Sequence, residues 1–291
     1  MIKYFFQFTD IIEVNHIREL INKIKQRLHH YDFNDSYAEL YEAKPHFESI
    51  KQYAIETDNE ELANAQYITS IYLRLLLQLS NYFHLIQAGQ FRESWDILQN
   101  CFDSAFQINR HTIVEDRFEV LQIIDLLTCY ECLYPYKFFC SSEMVIEKSE
   151  CSICGKPSQD LSCPHIKGRI YWGEVATEKI LKVKEYQAVA IVRNPADKRC
   201  VLELSNDTQA DGEKFGLIYD FLKLQIPVFQ LFSVDIQKLE MKRSDIIVVG
   251  RNEKCSCKSG KKFKTCCGKD LYYNHYQHNI ILGETISFQF H

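Results

Sequence analysis

Four thiols stand close together near the end of this chain. Cys255 and Cys257 are separated by one residue, Cys266 and Cys267 are adjacent, and eight residues lie between the two pairs. Ser259-Gly260 supplies a turn, so two short arms can bring four thiolates onto one tetrahedral ion. Zinc suits such a set, and iron is also compatible with four thiolates. A second group lies mid-chain, where Cys151-Ser-Ile-Cys154-Gly155-Lys156 reads as a metal knuckle and eight residues separate Cys154 from Cys163-Pro164-His165. Gly155 is placed where a knuckle needs a backbone conformation that side chains resist. Cys151, Cys154, Cys163 and His165 then make a Cys3His set. The alternative is that Cys163 and His165 are loop residues and that Cys200 or a partner completes the site. As read, both sets are closed, with four protein ligands apiece. A catalytic zinc keeps one position for water, so the expectation is two structural Zn2+ ions and no enzyme.

The run Gly250-Arg-Asn-Glu-Lys-Cys255-Ser-Cys257-Lys-Ser-Gly-Lys-Lys-Phe-Lys-Thr-Cys266-Cys267-Gly268 resembles the SEC-C motif. That motif is the zinc-binding tail of the SecA translocation ATPase and recurs in otherwise unrelated bacterial proteins. Two positions depart from it: Lys258 stands where Gly is usual, and Cys267 where the last ligand is often His. Neither prevents coordination. In SecA the motif ends the polypeptide, whereas Lys269 to His291 follow it here. Ile280-Ile281-Leu282 and then Ile286 to Phe290 alternate as a final strand would, so the motif is expected to be docked. The resemblance implies zinc binding and contact with a protein partner, since the family's tail can bind an export chaperone and similar modules associate with ribosomes or nascent chains. A weaker similarity links residues 150–196 to zinc-ribbon segments of phage-associated structural proteins, in which a strand ends in a Pro-Ala turn like Pro195-Ala196. It implies ribbon architecture only.

The chain has 291 residues, 46% of them hydrophobic and 25% charged, enough for two modest domains with small metal modules. Its start lacks a long apolar run and a small-residue cleavage site, which points to a cytoplasmic protein. Of twelve cysteines, seven fall in the two ligand sets, and reduced thiols holding zinc fit better than a disulfide framework. Cys101, Cys129, Cys132, Cys140 and Cys200 are scattered and read as small buried apolar residues. Net charge is -5, yet Arg251 to Lys269 sums to +6, leaving -11 elsewhere. Bound zinc with four thiolates lowers the module's charge by about two and leaves it basic. Arg251, Lys258, Lys261, Lys262 and Lys264 are therefore the candidate partner-binding residues, facing an acidic protein surface or a nucleic-acid backbone.

These sites need elements to carry them. The expected fold is multi-domain α and α+β: a helical domain over 1–136, a zinc ribbon over 137–174, a small α+β domain over 175–249, and a SEC-C zinc module with a terminal strand over 250–291. Ile11 to His30 has apolar residues at helical spacing, Ser36 to Ile55 is weaker and interrupted near Pro45, and Asn59 to Ala88 is long and apolar. Gly89 stops that helix, and Phe91 to Asn109 and Thr112 to Leu133 follow, with a tetratricopeptide-like hairpin at the Gly89 turn but no 34-residue period. Strands are expected at 180–183, 188–192, 200–204, 228–234 and 246–249, with one helix over 211–225.

Catalytic motifs are missing: there is no phosphate loop, dinucleotide fingerprint, His-Glu-x-x-His helix or Gly-x-Ser-x-Gly elbow. Cys129-Tyr-Glu-Cys132 has redox spacing but sits in a helical pattern without the strand context such sites use. The leading reading is a zinc-binding scaffold or adaptor whose basic SEC-C module contacts a protein partner or assembly. A nucleic-acid-binding protein, phage- or defence-related, is the second, and an enzyme of unrecognised type the third.

Overall fold

A computed structural model describes residues 1–112, 114–203, 214–242, 250–255, 260–266, 268–269 and 272–290. The chain divides into two compact units. One comprises Met1–Gln230 and the segment from Thr285 onward, and the other Leu231–Glu284.

The first unit is built on helices α1 (Ile2–Phe5), α2 (Ile12–His29), α3 (Ala38–Glu56), α4 (Glu60–Gln87), α5 (Phe91–His111) and α6 (Val114–Glu131). In α2, Val14, Ile17, Leu20, Ile21, Ile24 and Leu28 recur every three or four residues and all are buried, so one stripe faces the core. Helix α4 is apolar on most of its circumference and is the central element. Asn59 caps it by accepting the amide of Leu62 at 2.9 Å, and Glu60 and Glu61 favour its N-terminus. At about 1.5 Å per residue its 28 residues run roughly 42 Å. Gly89, at φ 73°, ends it and allows α5 to turn back and bury Trp95, Leu98, Cys101, Phe102, Ala105 and Ile108. One charged pair is enclosed in this core. Lys25 is fully buried, lies 3.4 Å from Glu119, sits over the Tyr72 ring and donates to the Gln289 carbonyl. Burial pushes the Lys25 ammonium down and the Glu119 carboxyl up, and each opposes the other's shift.

The strands among the described residues pair two by two. Strand β1 (Phe139–Cys151) pairs antiparallel with β4 (Glu178–Val192), from Phe139 opposite Val192 to Cys151 opposite Glu178, with bulges between Glu143 and Ser149. Inside this arm, β2 (Ile170–Tyr171) pairs with β3 (Glu174–Val175). Helix α7 (Gly216–Lys223) returns to the helical core: Phe215 packs 5.6 Å from Phe91, and Phe221 5.8 Å from Tyr130. Phe229 joins Phe33, Phe83 and Phe288, and the Ile286 amide donates to the Phe229 carbonyl, so the segment after Thr285 is held within this unit.

The second unit contains the two-stranded sheet of β5 (Gln230–Lys242) and β6 (Tyr272–Thr285), with the Gly250 to Gly268 segment connecting them in sequence. Each cysteine cluster therefore lies in the connection between two paired strands. Among the described residues, no helix is long and apolar enough to cross a membrane.

The helical N-terminal region and the Gly89 turn match the sequence expectation. Several finer readings do not. Helix α3 runs through Pro45 without interruption: Pro45 lacks an amide to donate to Tyr41, and Tyr41 is 77% exposed, so water can serve its carbonyl. The expected strands at 180–183 and 188–192 are one strand, and its partner is β1, which was not expected. Of the strand expected at 200–204, the described residues contribute a single bridge, Val201 to Phe139. The terminal strand covers 272–285, while 286–290 pack as an irregular segment. The strand expected at 246–249 and the start of the helix expected from 211 lie outside the described residues.

Candidate metal centre

Cys151 ends β1, and the chain turns at once. The Gly155 amide donates to the Cys151 carbonyl at 2.9 Å, the Cys151 amide donates to the Lys156 carbonyl at 2.8 Å, and Gly155 adopts φ 70°. This is the tight knuckle that Cys-x-x-Cys-Gly requires, and only glycine takes the left-handed position without strain. A second turn brings Cys163 to the same place. Its amide donates to the Asp160 carbonyl at 3.0 Å, the Asp160 carboxylate accepts the Ser162 amide at 2.8 Å, and Lys156 Nζ donates to the Ser162 carbonyl at 3.0 Å. The carboxyl of Asp160 is held below the usual range by the Ser162 hydrogen bonds.

The four donor atoms converge. Cys151 Sγ lies 3.7 Å from His165 Nδ1, Cys163 Sγ 3.9 Å from the same nitrogen, and Cys154 Sγ 3.6 Å from Cys163 Sγ. All four lie within 4.8 Å of one another. Thiolates bound at about 2.3 Å around a tetrahedral zinc stand about 3.8 Å apart, so these separations fit the edges of one coordination tetrahedron. Backbone amides of Cys154 and Ile153 hold the Cys151 thiol below its ordinary pKa, which favours the ligating form. For Cys163, a backbone hydrogen bond at His165 pulls the pKa down, but desolvation and the neighbouring thiols of Cys154 and Cys151 outweigh it. A cation among these donors would offset that crowding. The set could hold a metal ion, with Zn2+ the best match to three sulfurs and one nitrogen at these distances. Cys200 is elsewhere: its carbonyl accepts the amide of Cys140, eleven residues before Cys151 on β1 and about 36 Å along the strand.

Sequence spacing did not reveal what steadies this centre. The His165 ring packs edge-on to Tyr171 at 4.9 Å, and the Tyr171 hydroxyl accepts the Ile166 amide at 2.9 Å. Glu178 accepts from Ser149 at 2.7 Å and from Lys167 at 2.9 Å, tying both strands to the ligand loop. The tip beyond β2 then docks on the helices. The Trp172 amide donates to Glu60, the Gly173 amide to Asn64 at 2.8 Å, and Lys51 pairs with Glu174 at 2.8 Å.

In the second unit Cys255 is buried, its amide donates to the Lys261 carbonyl at 2.8 Å, and Gly260 takes φ 72°. Lys254 bridges Lys262, the Phe263 amide donates to the Glu253 carbonyl, and Phe263–Thr265 forms a single helical turn leading to Cys266. Gly268 is tightly placed. A Cβ there would lie 2.6 Å from the Phe263 ring and 2.7 Å from its carbonyl oxygen. Cys257, Lys258 and Cys267 lie outside the described residues. Arg251, Lys261, Lys262 and Lys264 are all exposed.

Residues 251–269 match the family described as the SEC-C motif, a short segment of the chain. No curated protein and no solved structure matches.

Proposed function

We propose that this chain is a zinc-binding scaffold or adaptor with two structural ions, one in a ribbon at Cys151, Cys154, Cys163 and His165, the other in a SEC-C module at Cys255, Cys257, Cys266 and Cys267. The first donor set supports a closed site, because its four protein ligands already account for a tetrahedron and leave no position for substrate. The SEC-C match supports the second. Neither ion would act as a Lewis acid on a substrate, and the chain is not an enzyme on this reading. Its working part is the cationic surface of the SEC-C module.

One observation carries the interaction reading: Arg251, Lys261, Lys262 and Lys264 all face solvent around a cysteine that is itself buried. The zinc would fix the loop, and the loop would present the cations. An acidic protein surface fits them, and a nucleic acid fits them less well, since Phe263 is the one aromatic residue between Arg251 and Lys264 on which a base could stack. The test uses zinc-loaded full-length protein and the variant K261E/K262E/K264E. Expected is a set of proteins captured by the wild type and lost by the variant while its zinc content is unchanged. Capture that survives charge reversal would overturn the proposal. Retention of DNA or RNA that weakens steeply with salt would replace it with the nucleic-acid reading.

A further inference from the structure

We propose that Cys140 and Cys200 form a reversible disulfide that clasps the base of the β1–β4 arm. Cys200 lies opposite Cys140, which is on β1, beside an isolated antiparallel bridge. Phe139 bridges Val201 antiparallel, the Cys140 amide donates to the Cys200 carbonyl at 2.8 Å, and the Leu202 amide donates to the Phe138 carbonyl at 2.9 Å. That pattern makes Phe139 and Val201 a non-hydrogen-bonded pair and sets Cys200 across from Cys140, with the Val201 amide turned back to the Arg199 carbonyl at 2.8 Å so that the chain bends at Cys200. Opposed residues of an antiparallel pair have Cα atoms about 4.5–5.5 Å apart, and a disulfide spans about 4.4–6.8 Å. Cys140 is half-buried and Cys200 exposed, so an oxidant can reach the pair.

The helical core imposes this juxtaposition. Phe139 stacks on Trp95, and the Trp95 indole donates to the Lys198 carbonyl at 2.9 Å, so both sides of the bridge hang from one side chain of α5. Arg199 reinforces it, donating to Asn100 at 2.6 Å and to Asp103 at 2.8 Å on the same helix. The other closely spaced pair outside the metal sets is poorly suited. Cys132 donates to the Cys129 carbonyl at 2.9 Å, and burial pushes its thiol up to about 11. Cys101 is fully buried.

The oxidant is a low-molecular-weight disulfide such as oxidised glutathione. The Cys200 thiolate attacks one of its sulfurs, forming a mixed disulfide and releasing one glutathione thiolate. The Cys140 thiolate then attacks Cys200 Sγ, forming the protein disulfide and releasing the second. Two electrons pass to the oxidant, and the two protons lost by the protein thiols end on the two glutathiones. The bond closes a loop from residue 140 to residue 200, which contains the whole arm and its metal ligands. Closing so long a loop restricts the opened arm most, so oxidation would fasten the arm to the core.

The test titrates zinc-loaded full-length protein with glutathione mixtures of rising oxidised fraction, blocks remaining thiols with an alkylating agent, and maps peptides by mass spectrometry. Zinc release is followed in parallel with a chromogenic chelator. Expected is a Cys140–Cys200 cross-linked peptide, reversed by dithiothreitol, that appears before any zinc is lost. C140S should accumulate a glutathione adduct on Cys200, because the resolving thiol is gone, and its circular dichroism should match the wild type. Alkylation of both cysteines up to the point where Cys151, Cys154 and Cys163 oxidise would overturn the proposal. So would a Cys200 cross-link to any other cysteine, or a C140S variant that leaves Cys200 free of glutathione.

Discussion

Substituting Gly173 and Gly168 by alanine separates two reasons for a glycine at the tip of the first arm. Both have positive φ, 75° for Gly173 and 87° for Gly168, so each alanine pays about 1–2 kcal/mol for a left-handed backbone. Beyond that they differ. A Cβ at Gly168 meets nothing within 4 Å, whereas one at Gly173 lies 3.0 Å from the Ala63 carbonyl oxygen of α4. Relieving that contact means lifting the tip, which strains the amide bonds of Gly173 to Asn64 and of Trp172 to Glu60, each with a net contribution of about 0.5–1.5 kcal/mol. G168A should therefore cost about 1–2 kcal/mol, and G173A about 2–5 kcal/mol. The assay is hydrogen exchange over residues 170–176 in zinc-saturated protein, where opening accelerates exchange about tenfold per 1.4 kcal/mol. G173A should exchange at least about fivefold faster than G168A, with unchanged zinc content in both. Equal exchange in the two variants would refute the docking of this tip on α4.

Other outcomes follow from the same geometry. In the SEC-C module, G268A should weaken zinc retention against a competing chelator, because the new Cβ collides with both the Phe263 ring and its carbonyl; unchanged retention would show that the turn is not needed to place Cys266. In the core, K25M should lower helical stability by about 3–5 kcal/mol by leaving Glu119 buried without its cation, and K25M/E119Q should recover most of the loss in urea unfolding. Burial holds Glu119 above its ordinary value of 4.5, so its contribution is present below about pH 4.5 and is lost as pH rises through the native value. The stability of wild type relative to E119Q should accordingly fall as pH rises over that interval, and a difference that grows with pH would contradict the sign.

The group of Cys151, Cys154, Cys163 and His165 was legible because coordination depends on residue type and short spacing, both present in the sequence. The long helices were legible because one stripe or most of a surface is apolar, as in α2 and α4. Strand β1 was not. Its residues Cys140 to Glu150 have mostly exposed side chains and bulges break the register, so no apolar alternation marks it. What makes it a strand is its partner, thirty to fifty residues later, and the knuckle that ends it. Pro45 misled because the helix continues through it on an exposed face, where the carbonyl of Tyr41 loses its amide partner near solvent. The bonds from Trp172 and Gly173 to α4 join positions more than a hundred residues apart and leave no local signature.

The most direct measurement is elemental analysis of zinc per chain in full-length protein and in two double variants, C151S/C154S and C255S/C257S. Two structural sites on separate compact units predict two zinc ions in the wild type and one in each variant, with the remaining ion held as tightly as before. One zinc in the wild type, or loss of both ions from either variant, would contradict two independent sites.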